Sequence, residues 1–194
     1  MFTALLDTSV LWPSLQRDFL LSLAVEGLYR PIWSAAILAE LEVHETAKLE
    51  RRGVPAAEAQ DRAQYLVTQM RQAFDDAEVE GWEGLEGTYG LPDPNDEHVA
   101  AAAVVGGAEA IVTANLKDFP PARLPSGLQA LPAAEFALNT VSLDPARSLV
   151  AVAQIAGRSG RKGPGLTVES ILELLVVRYG LDNAVEVLRH AATP

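Results

Sequence analysis

The chain has 194 residues, 49% hydrophobic and 21% charged, and its 15 Lys plus Arg against 26 Asp plus Glu leave a formal net charge of −11. That balance belongs to a globular protein, and a chain of this length buries roughly 70% of its unfolded surface without covalent staples. Cysteine is absent, which removes disulfides, thiolate metal sites and a Cys nucleophile together, while the acidic balance argues against broad electrostatic capture of nucleic acid. No apolar run approaches the roughly 20 residues that span a bilayer, so no membrane association is expected. The start Met-Phe-Thr-Ala lacks the basic flank of a secretory signal, and a cytoplasmic location is the expectation.

Phe2 to Leu6 is a short apolar run closed by Asp7, Thr8 and Ser9, the pattern of a buried strand entering a helix N-terminus. Residues 14–28 alternate at helical spacing, and Arg30-Pro31-Ile32-Trp33 reads as a second strand. Ser34 suits the N-cap of a helix to about Arg52, closed by Gly53, and Pro55 opens another over 55–74. Residues 75–81 have room for a short strand, and the Gly- and Pro-rich stretch 82–95 reads as loop. Asp96 is placed to cap a helix through Val105, ended by Gly106-Gly107. Ala110 to Ala114 reads as a buried strand stopped by Asn115, and Pro120, Pro121 and Pro125 forbid regular structure for a few residues. Strands alternating with helices predict a three-layer α/β/α sandwich around a mainly parallel sheet.

Beyond Asp144 come three helical patterns, about 145–156, 167–179 and 182–191, with Thr167 and Asp182 as caps. Between the first two lies a glycine-rich loop carrying Arg158, Arg161 and Lys162. Residues 1–139 are expected to form the core domain and 140–194 a C-terminal helical extension.

Four polar positions stand where such a sheet presents chemistry. Asp7 and Asn115 end strands, and ligands of open α/β sheets sit beyond those carboxyl ends. Asp96 begins a helix. Glu40 lies about 60° to the side of the stripe Ile37, Leu41, His44, at the edge of a buried face. Each alone has a plain reading: helix caps for Asp7 and Asp96, a surface acid for Glu40, a turn for Asn115. Carboxylates gathered together need a cation to stay ionised at neutral pH, and an oxygen-only ligand set suits Mg²⁺ or Mn²⁺ rather than Zn²⁺. Such an ion activates water and stabilises charge on a scissile phosphate. No Ser or His nucleophile is then required. His44 reads as a packing residue and His98 as a helix-surface residue.

Residues Phe2 to Val10, Ile37-Leu-Ala-Glu40-Leu, Pro92 to Ala103 and Ala110 to Pro120 together resemble, in order, the four motifs of the PIN-domain family. The chain looks most like the VapC-type toxins of bacterial VapBC toxin–antitoxin pairs, and its helical tail is similar to the extension of one VapC subgroup. The resemblance implies a PIN-like fold and a Mg²⁺-dependent endoribonuclease. Asp7, Glu40 and Asp96 match its metal-binding acids, and Thr113 its supporting polar residue. The fourth acidic position falls on Asn115, an amide; Asp118 or Asp93 are further candidates, Asp93 also suiting a Pro-Asp-Pro turn. The family resemblance also implies an RNA substrate, a homodimer and an inhibitory antitoxin partner.

Lys117 beside the proposed site is the leading phosphate contact. Lys48, Arg51 and Arg52 suit the C-terminal end of the Glu40 helix, and Arg158, Arg161 and Lys162 suit either a solvated loop or a phosphate track. Trp12, Trp33 and Trp82 read as core or dimer packing before base stacking. A degenerate PIN fold that only binds RNA or protein is the alternative, motivated by Asn115. A haloacid-dehalogenase-like phosphatase would want a second acid two residues after Asp7, where Ser9 stands.

Overall fold

A computed structural model describes residues 2–160 and 165–192. Arg161 and Lys162 lie outside the described residues. The first strand, β1 (Thr3–Leu6), leads into the single-turn helix α1 (Thr8–Leu11) and then α2 (Ser14–Val25). Next come β2 (Arg30–Ser34), α3 (Ala35–Arg51), α4 (Ala56–Ala73) and β3 (Glu78–Val79). They are followed by α5 (Glu97–Val105), β4 (Ala110–Val112) and β5 (Gln129–Leu131). Four helices close the chain: α6 (Ala133–Leu143), α7 (Pro145–Arg158), α8 (Val168–Tyr179) and α9 (Asp182–Ala191).

The sheet is five-stranded and all parallel, in the order β3-β2-β1-β4-β5, flanked by helices. This is the α/β sandwich expected from the sequence. β1 sits at its centre, and Ala4, Leu5 and Leu6 are fully buried. The continuous apolar run, without alternation, is what a strand covered on both faces requires. Ser34 caps α3 as expected, its Oγ accepting from the Ile37 N–H at 3.2 Å. Among the described residues no helix is long and apolar enough to cross a membrane.

Several local expectations change. Asp96 holds the N-cap position of α5 but makes no side-chain cap bond. Asp93 caps instead: its Oδ1 accepts the Asn95 N–H at 2.9 Å at the head of a 3₁₀ turn, Pro94–Asp96. Asp182 is the first residue of α9, preceded by Leu181, and likewise makes no cap. Thr167 does cap α8, accepting from the Ser170 N–H at 3.1 Å. The stretch 82–95 holds two 3₁₀ turns, and β5 and α6 occupy a region for which the sequence patterns gave no element.

The chain divides into two compact units. One holds residues 2–12 and 31–130. The other joins residues 13–30 to residues 131 onward. Within the second, α2 packs against α7, and α6 against α9. Arg158 reaches Asp18 Oδ1 at 2.9 Å and Ser22 Oγ at 2.7 Å, and Gln154 donates to Glu26 Oε1 at 2.7 Å. Arg158 is thus held by α2 rather than left on a solvated loop. Tyr29 and Phe136 meet edge to face with centroids 4.9 Å apart.

Candidate active site

The parallel register pairs Leu6 with Val112, so β1 and β4 end side by side. The next residues, Asp7 and Thr113, are therefore neighbours, and the Asp7 N–H extends the ladder to Val112 O at 3.1 Å. Asp7 stands at the N-cap of α1 without capping it. Its carboxylate takes two hydroxyls instead: Ser9 Oγ donates to Oδ2 at 2.6 Å and Thr113 Oγ1 to the same oxygen at 2.7 Å. Those hydroxyls accept backbone N–H groups in turn, Ser9 from Ala114 at 2.9 Å and Thr113 from Asn115 at 3.0 Å. With their lone pairs so engaged, their protons point at Asp7, which must accept. Asp7 is buried, and Thr113 wholly so.

Glu40 leans from α3 toward the same region. Its Oε2 accepts Thr8 Oγ1 at 2.6 Å, and its Oε1 lies 3.1 Å from His98 Nε2 on α5. His98 is buried, correcting its surface reading, and its Nδ1 has no hydrogen-bond partner among the described residues. The proton of a neutral ring therefore belongs on Nε2, donated to Glu40. Burial raises the Glu40 carboxyl, but the His98 and Thr8 hydrogen bonds outweigh it and hold it below the ordinary range. Burial likewise pulls the imidazole down, and Glu40 and Asp7 lift it above its ordinary value.

Asp96 behaves in the opposite way. Its carboxyl is pushed up to about 6, first by burial and then by the charges of Asp7, Asp93 and Asp118, with a smaller opposing effect from His98. Asp7, Asp93, Asp96 and Asp118 thus share one negative field. Asp93 combines this with its capping bonds to Asn95, at 2.9 Å from the N–H and 3.0 Å from Nδ2. Asn115 and Lys117 are exposed, and Asp118 is half-buried in a 3₁₀ turn.

Among the described residues no three His, Asp or Glu side chains stand ready in a metal-ligating group. The donor chemistry nonetheless fits a hard divalent ion. The candidate donors are carboxylate oxygens, and a cation among them would offset the like charges that add to burial in raising the Asp96 carboxyl. Asp7 and Asp96 would hold such an ion, with Asp93 and Asp118 deepening the field. Glu40 would join by exchanging its bond to Thr8 or His98.

One organising residue escaped the motif reading. Glu97, nearly fully buried, accepts the Leu91 N–H at 2.7 Å and the Tyr89 N–H at 3.1 Å. Burial alone would raise its carboxyl, but hydrogen bonds from the amides of Leu91, Tyr89, Gly90 and Gly87 hold it below the ordinary range. It ties the loop leading to Asp93 onto the first turn of α5. The only sequence signal is an acid in a helix's first turn, which dipole arguments explain without a loop.

A family model for the PIN domain matches residues 3–117. That covers more than half the chain, including both strand ends, Glu40 and Asp96, and the chain belongs to the PIN-domain family. PIN domains are generally nucleases, so the site is that of a hydrolase fold acting on nucleic acid. Comparison with curated proteins and with solved structures gave no match.

Proposed function

We propose that the chain is a metal-dependent endoribonuclease, the toxin of a toxin–antitoxin pair. What supports the reading is that the parallel register sets Asp7 beside Thr113 at the carboxyl ends of β1 and β4, and that the charge of Asp7 reaches the Asp96 carboxyl. The resemblance of the four motifs to VapC-type toxins supports the finer assignment. It also supports the expected partners, an inhibitory antitoxin and a second copy of the chain.

Asp7, Asp96 and Glu40 are the residues to hold Mg²⁺ or Mn²⁺. When bound, such an ion supplies Lewis acidity and offsets the charge that develops on the phosphate during hydrolysis by water. Ser9 and Thr113 fix the Asp7 carboxylate in one orientation by bonding the same oxygen. Thr8 and His98 do the same for Glu40. Lys117, exposed two residues beyond Asn115, offers a cation to the RNA backbone.

The test is cleavage of cellular RNA by antitoxin-free protein. Cleavage is expected with Mg²⁺ or Mn²⁺, to stop in EDTA, and to fall about 100-fold or more in Asp7→Asn and Asp96→Asn, in line with the loss of a key electrostatic group. Induced expression should arrest growth, and Asp96→Asn should relieve it. A folded protein that cleaves no RNA with either metal would overturn the reading. It would leave the binding-only alternative, which Asn115 in place of an acid favours.

A further inference from the structure

Beside the acidic residues lies a cavity of about 450 Å³ lined by Thr8, Ser9, Trp12, His44 and Arg51. Two of these residues also belong to the site: Thr8 bonds Glu40 and Ser9 bonds Asp7. The cavity therefore shares Thr8 and Ser9 with the acidic network, and its lining also carries an indole and a guanidinium. The volume falls within the ~300–1,000 Å³ of small-molecule sites, with room for one nucleotide.

The indole is fixed from α3. Trp12 Nε1 donates to His44 O at 3.3 Å, and Lys48 Nζ donates to Trp12 O at 3.3 Å while standing 5.6 Å from the ring centroid. Lys48 is itself buried and paired with Glu45. Trp12 nevertheless remains partly open to solvent, unlike Trp33, which is fully buried against Phe74. His44, which the sequence assigned to packing, is exposed at this cavity. Arg51 is exposed at the last turn of α3, its Nε donating to Ala47 O at 3.2 Å.

We infer that this cavity binds the nucleotide next to the scissile phosphate of single-stranded RNA, its base stacked on Trp12 and its phosphate held by Arg51. The inference rests on the nuclease reading above. A chain of formal charge −11 must hold a polyanion by local cations, and a preorganised ring binds an unstacked base at little entropic cost. A base in a duplex cannot offer its face to the indole, so the site selects single strands.

The test uses the full chain carrying Asp96→Asn and a fluorescein-labelled 12-nucleotide single-stranded RNA in Mg²⁺, read by anisotropy. Trp12→Ala and Arg51→Ala should each weaken binding at least about fivefold, in the range of one lost base stack. Trp12→Phe should retain it. Arg51→Ala should also reduce the slope of log Kd against log salt by about 0.7, the signature of one lost phosphate contact on a single strand, while Trp12→Ala leaves that slope unchanged. Arg62→Ala, which removes an equal charge from α4 where Arg62 pairs with Glu58, should change little. The same strand annealed to its complement should bind without dependence on Trp12.

Thermal melting of each variant guards against misfolding, and exposed Arg51 gives a readout should Trp12→Ala unfold. Undiminished binding by folded Trp12→Ala and Arg51→Ala overturns the subsite, as does equal Trp12 dependence with the duplex. If wild-type protein cleaves RNA with metal in either of those cases, the nuclease reading survives. If it neither binds nor cleaves, both fall.

Discussion

Asp7 and Asp96 both stand at helix starts, where the sequence reads caps, and neither side chain makes a cap bond. Asp7 gives its carboxylate to Ser9 and Thr113, and Asp96 gives its carboxyl to no cap at all. Burial first, and then the like charges around it, set the pH behaviour of Asp96. Its carboxyl rises from an ordinary 3.8 to about 6 on folding. Between those values the folded state binds the extra proton, so stability falls as pH rises from about 4 to about 6 and is flat above. The charged form then costs on the order of 1 kcal/mol once solvent screening of this half-exposed group is allowed for. Asp96→Asn in EDTA should therefore be more stable than wild type at pH 8 by about that amount, and its stability should vary less between pH 4 and 6. Urea denaturation across pH measures both. The acids stood out in the sequence for different reasons: Asp7 ends an apolar run, Asp96 opens a helix and Glu40 borders an apolar stripe. His98 was not legible: its partner Glu40 is 58 positions away, and only folding brings the two together.

Glycines and loop anchors carry the same lesson at the level of elements. The sequence marks Gly106 only as a helix terminator, yet it is where α5 crosses close to the sheet. A Cβ there would clash with Ile32 Cδ1 and lie 2.8 Å from Val79 Cγ2. Gly106→Ala should cost about 1–3 kcal/mol through overpacking, read as a lowered melting temperature. Glu97 anchors the loop before Asp93 through backbone amides. Glu97→Gln should cost about 2 kcal/mol, and hydrogen exchange at the Tyr89 and Leu91 amides should quicken. Because folding lowers the Glu97 carboxyl, its contribution is present near neutral pH and is lost as the solution is acidified through the folded value. The strands and helices through β4 were legible from apolar runs and caps. β5 and α6, which starts behind Pro132, were not, because the half-exposed Gln129-Ala130-Leu131 forms no continuous apolar run like that of β4 and Ala133 and Ala134 blur the helix's apolar face.

At the scale of the whole molecule, chain order and packing part company. The sequence changes character near residue 140, but helix α2, near the start, packs with the C-terminal helices as one compact unit. Its bonds to Arg158 and Gln154 cross more than a hundred residues of chain, which no local pattern announces. A chain ended after Leu143 would strip α2 of α7 and α8, and should elute as aggregate in size-exclusion chromatography where the full chain elutes cleanly. The net charge of −11 leaves no general pull on nucleic acid, so the proposed hydrolysis of RNA calls for a cation among Asp7 and its acidic neighbours. Mn²⁺ binding, followed by the loss of its free-ion EPR signal during titration, measures this directly. Saturable uptake is expected for the wild-type chain, lost in Asp7→Asn and Asp96→Asn with melting temperatures preserved. Uptake unchanged in both folded variants, or none in the wild type, would refute a metal held by these acids.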